Sequence, residues 1–340
     1  LLQGDFKTFK AILDNSLAEM RGPLFPNSGV GLKLEYNSVD APLWLFWTLQ
    51  QYIKFSGDKT VWKHYGSYLK LILNSFREGA SYNIHMLENG LLYAGVTGSA
   101  VTWMDAVVDG KPVTPRIGLA VEVNALWYNA IRFAIELAET AGEKDFVSEW
   151  KPVADRIPAA FTEVFWYREK NYLYDYVHGD FCDKSVRPNQ VFAASLPYSP
   201  LSDDQRKGVL DRVQSELITP RGLRTLAPKN PAYKPEYTGG PVERDLAYHQ
   251  GSVFPWLFGH FAEAWLNLYE QSGLAFIEKI YKGFEEVITE HGIGTISELY
   301  DGDPPYRPSG AISQAWSVSE LLRVGHMLAA MKPAKTKKSK

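Results

Sequence analysis

Hydrophobic and polar positions repeat along most of the chain with the period of an α-helix, and the helical segments are of two kinds. In residues 274–292 the apolar side chains recur at spacings of three and four, and most of the charged side chains lie on the opposite side. This pattern indicates an amphipathic helix with one face in water. Four further segments share it, at residues 5–20, 59–79, 145–166 and 202–218.

The second kind of helical segment is apolar around most of its circumference. Such a helix must be covered by protein on nearly every side. The set comprises residues 41–57, 123–142, 189–201, 253–273 and 313–331. The two kinds alternate along the chain, outer and then inner, five times.

This alternation predicts two concentric layers of helices, an all-α fold of the α/α barrel type. The closed form, the (α/α)6 barrel, has six helix pairs, whereas five are visible here. Because the chain starts without methionine inside a helical pattern, we expect its first helix or helix pair to be missing. A helical solenoid is the alternative, but the inner segments begin near residues 40, 121, 188, 251 and 312, too unevenly for a solenoid repeat. A short hairpin is the one β-structure expected, in residues 82–96.

Polar residues gather at the N-terminal ends of the buried segments. They are Asn37 and Asp40, Glu122 and Asn124, Arg187, Asn189 and Gln190, His249 and Gln250, and Gln314. Alternation makes the inner helices parallel, so all these ends should share one rim. Asn and Asp there can cap helices, whereas His, Arg, Gln and Glu are poorer caps and are typical of a lined funnel.

Composition narrows the function classes. The chain has 340 residues and a net charge of −3, which argues against a nucleic-acid partner. Its one dense basic run is the tail at residues 332–340, which we expect to be disordered. No apolar run reaches the length of a membrane span, and the single Cys182 indicates a reducing compartment, so we expect a soluble, cytoplasmic protein. Aromatic residues reach 14%, which fits either a bulky core or a sugar-binding cleft.

Two loop carboxylates stand out by their surroundings. Asp105 lies beside Trp103, and Glu298 lies in a Gly- and Pro-rich segment that enters the last inner helix. Two acids across a pocket can protonate a leaving oxygen and activate a water, and the neighbouring tryptophan would raise the pKa of Asp105. The alternative for Asp105 is an ordinary turn residue, and the alternative for Glu298 is a solvated loop acid.

The stretch "RDLAYHQGSVFPWLFG", residues 244–259, is the densest in chemistry, because Arg, Asp, Tyr, His and Gln run directly into a buried aromatic helix. Metal binding is a weaker interpretation, since His249 and His260 are eleven residues apart without a supporting Cys/His cluster. The sequence contains neither a phosphate-binding glycine loop after a strand nor a G-x-S-x-G elbow. We expect no metal and no cofactor.

Seven motifs in order resemble the amylo-α-1,6-glucosidase domain of glycogen debranching enzymes, most closely the bacterial and archaeal type. They are "YNSVDAPLW", "TWMDA", "PVTPRIGLAVEVNALWYNA", "RPNQVFAASLP", "GLRTLAP", "RDLAYHQGSVFPWLFG" and "GTISELYDGD". The resemblance implies a six-fold α/α barrel related to glucoamylase-like enzymes and hydrolysis of α-1,6-linked glucose at glycogen branch stubs with inversion. A "WGRDT"-type segment of the family, which helps to bind glucose, has no match here.

The resemblance implies that Asp105 is the general acid and Glu298 the general base, with residues 1–331 as an N-terminally truncated catalytic domain. Trp103 would be a sugar platform beside the acid. The other residues expected to hold sugar hydroxyls and ring faces are Asn37, Asp40, Trp44, Glu122, Asn124, Trp127, Arg187, Gln190, Tyr248, His249 and Gln250. The expected partners are glycogen or limit-dextrin oligosaccharides, with the oligomeric state left open.

Three alternatives remain at this point. Another inverting glycosidase of the same barrel class could act on trehalose, maltooligosaccharides or mannosides. A fragment that binds glycogen without turnover would tolerate Asp105→Asn. A helical protein-interaction scaffold would show an apolar or neutral concave face instead of an acidic rim with aromatic walls.

Overall fold

The computed structural model describes residues 1–27 and 34–332. The predicted basic tail therefore lies outside the described residues, except for Lys332. Within the described ranges, ten α-helices make up about half of the chain. Their bounds are α1 Phe6–Ala18, α2 Asp40–Ser56, α3 Val61–Glu78, α4 Val121–Ala141, α5 Lys144–Phe165, α6 Gln190–Ser195, α7 Asp203–Glu216, α8 Pro241–Tyr248, α9 Trp256–Gly283 and α10 Ala315–Met331.

Each predicted helical segment contains a helix, and α8 is the helix that the pattern did not predict. The predicted difference between inner and outer helices is confirmed for α4 and α5. It is wrong for α10, which was predicted to be covered on nearly every side but leaves Trp316 and Leu322 exposed. Helix α4 is buried on nearly all sides, whereas α5 buries one stripe that includes Phe146, Trp150, Val153 and Ile157. Full burial of each large side chain contributes about 1.5–3 kcal/mol, which gives the outer helix its attachment.

Two predicted helices are joined in α9. Glu270 has φ 47° and ψ −129°, values outside the helical region, and the chain folds back at this residue. Phe276 lies 6.3 Å from Phe261 between ring centroids, although fifteen residues of straight helix would span about 22 Å. The first part of α9 is thus the predicted inner helix, and its second part is the predicted outer helix.

The inner helices lie side by side in the order α2, α4, α6, first part of α9 and α10. The outer helices pack against them, with α3 on α2 and α4, α5 on α4, and α7 on α6 and α9. Helix α7 begins with a capping box, in which Ser202 and Gln205 bond each other's backbone N–H groups.

Short strands correct the prediction of an all-α fold. They are β1 His85–Met86, β2 Leu92–Tyr93, β3 Val107–Val108, β4 Lys111–Pro112, β5 Leu119–Ala120, β6 Trp166–Tyr167, β7 Tyr172–Leu173, β8 Tyr176–His178, β9 Phe181–Cys182, β10 Ile218–Thr219, β11 Gly222–Arg224, β12 Val253–Phe254, β13 Leu299–Tyr300 and β14 Pro308–Ser309. The predicted hairpin is confirmed as β1 and β2. The other strands have two or three residues each, too few for an alternating sequence pattern to reveal them.

The strands form small antiparallel sheets at the connections between helices. The largest has the order β10-β11-β12-β13-β14, and the others are β1-β2, β3-β4, β5-β8-β9 and β6-β7. In the largest sheet Val253 of β12 pairs with Tyr300 of β13. This pairing places the loop that contains Glu298 beside the start of α9.

Candidate active site

The N-terminal ends of several inner helices meet around one residue, Trp103. Its backbone N–H donates to Oδ2 of Asp40, the first residue of α2, at 2.9 Å. Its indole N–H donates to Oδ1 of Asn189, which directly precedes α6, at 2.8 Å. Its ring centroid lies 5.2 Å from that of Trp256, the first residue of α9. The N-terminal ends of α2, α6 and α9 therefore lie at one rim, as the sequence predicts.

A buried ion network lies next to the same segment. Arg116 pairs with Glu122 in the first turn of α4 and, through Nε, with Oδ2 of Asp175 at 2.7 Å. Its Nη1 also donates to the hydroxyl of Thr102 at 3.2 Å. Burial raises the pKa of Glu122, and the charge of Arg116 only partly offsets this. Moving any of these side chains would leave a buried charge without its partner, which is costly. The network therefore keeps them in fixed positions beside residues 102–104.

Asp105 follows this fixed segment and is exposed to solvent. Surrounding protein nevertheless removes part of its hydration, which raises the pKa of the carboxyl to about 6. A hydrogen bond from its own backbone N–H lowers this pKa, and the charges of Asp40 and Asp245 raise it. Asp105 can therefore carry a proton close to neutral pH, as a general acid must.

Glu298 is half-buried and accepts two hydrogen bonds. The phenol of Tyr248 donates to Oε1, and the backbone N–H of Ala311 donates to Oε2 at 2.8 Å. Close by, Gly310 has φ 72°, and a Cβ atom there would lie 2.5 Å from Oε2 of Glu298. The backbone conformation and the close approach both require glycine at this position.

Tyr248 connects the two carboxylates electrostatically. The pKa of the Tyr248 phenol is raised above its usual range, mainly by burial. Its hydrogen bond to Glu298 and the charges of Glu298 and Asp105 raise this pKa further. The ring of Tyr237 lies 5.7 Å from that of Tyr248, and the charges of Glu298 and Asp245 both act on it. Glu298 thus raises the pKa of both phenols.

Aromatic rings pack around Trp103, two residues before Asp105. Trp103 makes edge contacts with His249 at 5.2 Å and Phe254 at 5.9 Å, in addition to Trp256. Trp256 in turn lies 5.8 Å from Trp316 in the first turn of α10. We call these five residues the aromatic wall. Trp316 is 55% exposed, so one end of the wall faces solvent.

Several of the predicted site residues are found in this region. Arg187 is buried and donates to the carbonyl of His249 at 2.7 Å and to Oε1 of Gln250 at 2.9 Å. Gln250 also donates to the hydroxyl of Thr114 at 3.2 Å. Burial, with smaller contributions from Arg187 and a second arginine, lowers the pKa of His249 to about 3. The imidazole of His249 is therefore neutral beside Trp103.

Other predicted residues are occupied by protein partners away from solvent. Asn124 bonds the backbone of Leu92, and the indole of Trp127 donates to the carbonyl of Gly90 at 3.0 Å. Gln190 donates to the carbonyl of Arg187 at 3.0 Å. These three residues and Glu122 are fully or almost fully buried. Their side chains support the helix ends, and we leave them out of the sugar site proposed below.

Two further predicted residues lie on or next to α2. Trp44 is half-buried one turn into the helix, where its ring contacts Trp47, Phe192 and His260. It therefore lies deeper than the carboxylates. Asn37 precedes the helix and donates to the carbonyl of Ala100 at 3.1 Å, at the start of the loop that leads to Asp105.

The structure also brings residues into the site that the sequence analysis did not select. They are Tyr237, Asp245, Trp256 and Trp316, together with Asn189, which was assigned to the rim only. Asp245 and Trp256 lie in the motif "RDLAYHQGSVFPWLFG", whose density was the available signal. Tyr237 lies in a loop whose sequence carries no comparable signal.

Within residues 1–27 and 34–332, no group of three His, Cys, Asp or Glu side chains is placed to hold a metal ion. In the same part of the chain, none of the helices combines the length and the apolar character needed to cross a membrane.

A mainly helical domain with carboxylates and aromatic rings at one end of its inner helices is typical of a glycosidase. Residues 1–323 match the profile of the amylo-alpha-1,6-glucosidase family, and the chain belongs to that family. The resemblance recognised in the seven motifs is thereby confirmed.

The chain is also similar to a curated protein and to a solved structure. The chain is 26% identical over 303 residues to a glycogen debranching enzyme of Saccharomyces cerevisiae, and the match covers 72% of this chain. The match covers 20% of that relative, so the chain spans only about a fifth of its length. Its fold is similar to that of a GH78 family rhamnosidase of Bacillus sp. GL1, with a TM-score of 0.61 and 16% identity. That match covers 92% of this chain and 28% of the rhamnosidase chain.

Proposed function

We propose that this chain contains the glucosidase centre of a glycogen debranching enzyme. It would hydrolyse α-1,6-linked glucose at branch points of glycogen or limit-dextrin oligosaccharides with inversion. The observation that carries the proposal is that Trp103 and Tyr248 pack against the same two rings, those of His249 and Phe254. Trp103 lies two residues before Asp105, and Tyr248 donates a hydrogen bond to Glu298. Family membership supplies the substrate class.

In the proposed mechanism Asp105 is the general acid. It donates its proton to the bridging O6 as the bond between C1 and O6 breaks, so the alcohol leaves in neutral form. Without this proton the leaving group would be an alkoxide. The pKa of about 6 makes the proton available at near-neutral pH.

Glu298 is the proposed general base. It takes a proton from a water molecule that attacks C1 on the face opposite O6, and the product is β-glucose. Such a single displacement needs about 6.5–9.5 Å between the two carboxyl groups, so that water fits between base and sugar. Tyr248 and the N–H of Ala311 fix both oxygens of Glu298, which orients the carboxylate toward one water position.

Trp103, Trp256 and Trp316 are the members of the aromatic wall that reach solvent, and they are the proposed sugar platform, with Trp103 nearest to the acid. Two buried polar atoms of the aromatic wall, Nδ1 of His249 and Nε1 of Trp256, have no hydrogen-bond partner among the described residues, and neither has Oδ1 of Asn37 before α2. Buried polar atoms are costly when they are left unpaired. Buried water molecules would satisfy them. Asp40, Arg187, Tyr248 and Gln250 would support the platform from the surrounding helix ends.

We further propose that the helices belong to an (α/α)6 barrel and that residues 1–331 form its catalytic domain. The side-by-side order of α2, α4, α6, α9 and α10 under outer helices supports this. We propose a cytoplasmic location, which fits the glycogen substrate and the unpaired Cys182. The proposed chemistry involves no cofactor.

A glycosidase for another sugar is the second candidate, because the solved structure with a similar fold is a rhamnosidase. The same acid and base could then act on a different ring. Release of rhamnose from α-rhamnosides, without release of glucose from a branched dextrin, would favour this candidate.

The test of the proposed function is release of glucose from phosphorylase limit dextrin by this chain. We expect the initial product to be the β-anomer, which polarimetry or proton NMR would detect. Asp105→Asn and Glu298→Gln should each lower kcat about 100-fold or more. Absence of glucose release by the wild-type chain, or full activity in both variants, would contradict the proposal.

A further inference from the structure

Asn189 is fully buried, and its side-chain amide joins the loop of Asp105 to the buried ion network. Its Oδ1 accepts a hydrogen bond from the indole N–H of Trp103 at 2.8 Å. Its Nδ2 donates to Oδ1 of Asp175 at 2.7 Å and lies 3.5 Å from Sδ of Met104. Trp103 and Met104 are the two residues directly before Asp105. One amide thus contacts both residues that lead into the acid.

The partners of this amide dictate its orientation. A reversed amide would place its NH2 group against the indole N–H of Trp103 and its oxygen against the carboxylate of Asp175, and both contacts would be repulsive. Asp175 is itself fixed by the Nε of Arg116 at 2.7 Å. The position of the indole is therefore set by groups that are buried and paired.

Helix capping does not account for this arrangement. Asn189 occupies the N-cap position of α6, where asparagine commonly accepts a hydrogen bond from the first turn of the helix. Its side chain makes no such bond here. The amide is directed instead at Trp103 and Asp175.

Other contacts also hold the acid loop, and among them Nη1 of Arg187 lies 4.0 Å from Sδ of Met104. Asp40 accepts from the backbone N–H of Trp103, and Arg116 donates to the hydroxyl of Thr102. These two contacts fix the path of the chain. The bond to Asn189 fixes the indole, whose ring borders the place where the sugar would stack.

We propose that Asn189 is a positioning residue for the general acid: it holds the indole of Trp103 and thereby the loop from which Asp105 reaches the leaving oxygen. The inference rests on the proposed function, because it concerns the same acid. Without the amide, the protein would still bind sugar, but the carboxyl of Asp105 would be misplaced with respect to O6. A misplacement of about 1 Å can lower a rate about 100-fold.

Two substrates that differ in their need for an acid separate this role from a purely structural one. An α-1,6-linked glucosyl oligosaccharide has a poor leaving group that must be protonated, whereas α-D-glucosyl fluoride releases fluoride with much less help from an acid. In Asn189→Ala we expect kcat for the oligosaccharide to fall about 10- to 100-fold and kcat for the fluoride to fall less than about threefold. Asp105→Asn should show the same preference more strongly.

The matched control is Asn129→Ala. Asn129 is also a fully buried asparagine, but it bonds Gln50 and the backbone of Tyr198 in the middle of α4. We expect this variant to lose stability and to change both rates by the same small factor. If Asn189→Ala does not fold, Trp103→Phe removes the same hydrogen bond from the other side and should show the same preference between substrates.

The double variant Asp105→Asn/Asn189→Ala completes the test. Since Asn189 is proposed to act through Asp105, the double variant should be no slower than Asp105→Asn alone. Equal losses on both substrates in Asn189→Ala, or a further loss in the double variant, would overturn the positioning role while the selectivity of Asp105→Asn still supports the proposed function. A wild-type chain that hydrolyses neither substrate, or an Asp105→Asn variant without selectivity, would overturn both.

Discussion

The phenol of Tyr248 donates a hydrogen bond to Oε1 of Glu298, and the two residues come from segments fifty positions apart. Tyr248 ends α8, whereas Glu298 directly precedes β13. The pairing of β12 with β13 brings these segments together. The proposed base is therefore oriented by a helix that the sequence pattern did not predict.

Tyr248→Phe removes this donor and leaves the ring in place. Only the N–H of Ala311 would then hold the carboxylate of Glu298, so the base would be less well oriented toward its water. A hydrogen bond to a charged group contributes about 1.5–3 kcal/mol, and we expect kcat on limit dextrin to fall about 10- to 100-fold. The change in KM should be small.

Tyr233→Phe is the control for this variant. The phenol of Tyr233 also bonds a loop carboxylate, Asp303, at 2.9 Å, but it does not contact Glu298. We expect its kcat to stay within about twofold of the wild type. A Tyr248→Phe enzyme as active as Tyr233→Phe would show that the bond to Glu298 has no part in catalysis.

The pH dependence of kcat/KM should report the proton on Asp105. The acid is active only when protonated, and its pKa is raised to about 6. Above that pH the rate should therefore fall about tenfold per pH unit. Asp245→Asn removes one of the charges that raise this pKa, so the falling limb should move to lower pH.

The control for the pH profile is Asp180→Asn, which removes an equal charge from the exposed turn between β8 and β9. Its falling limb should coincide with that of the wild type. Identical profiles for Asp245→Asn and Asp180→Asn would exclude Asp245 as a neighbour that influences the acid.

The sequence was sufficient to predict the helical layers because packing against a core leaves a periodic pattern. The alternation of amphipathic and wholly apolar segments located the inner and outer helices, including the two that form α9. The short strands leave no such pattern, since two residues cannot display a period of two. Helix α8 was also missed, because its eight residues are too few to display the helical period clearly.

Residues of the candidate site could be predicted where residue type and motif agreed. Prediction was poorer where burial decides whether a side chain is free to bind sugar. Asp105 and Glu298 were selected from their motifs. Glu122, Asn124 and Trp127 carry equally suitable chemistry, but the structure buries them against protein partners. Burial depends on tertiary contacts such as the bond from Trp127 to the carbonyl of Gly90, which no local pattern encodes. For the same reason the amide of Asn189 could be assigned to the rim but not to Trp103.

Gly310→Ala should damage the site through Glu298. The added Cβ would lie 2.5 Å from Oε2, so the carboxylate must move and lose its bond from Ala311. The left-handed backbone adds strain of about 1 kcal/mol. We expect a lower Tm and a fall in kcat of about tenfold or more.

Gly294→Ala is the matched control, because Gly294 has nearly the same backbone, with φ 73°, and no atom within 4 Å of the added Cβ. It should lose similar stability while keeping its activity. Equal activity in the two alanine variants would argue against a role for the close approach between Gly310 and Glu298.

Asp105→Asn should change how stability depends on pH. Because the folded-state pKa of Asp105 is raised, its favourable contribution is complete below the unfolded value near 3.8 and is lost as the pH rises through about 6. The ionised carboxylate is thus less favourable in the folded protein than in the unfolded chain. The asparagine variant has no such loss, so its Tm relative to the wild type should be higher at pH 8 than at pH 4. The effect should be small, since Asp105 is exposed and keeps much of its hydration.

Thermal unfolding of the wild type, Asp105→Asn and Asp180→Asn at pH 4 and pH 8 measures this effect. A Tm difference for Asp105→Asn that is the same at pH 4 and pH 8 would mean that its carboxyl is not destabilised in the folded state, and the raised pKa assigned to the general acid would then be wrong.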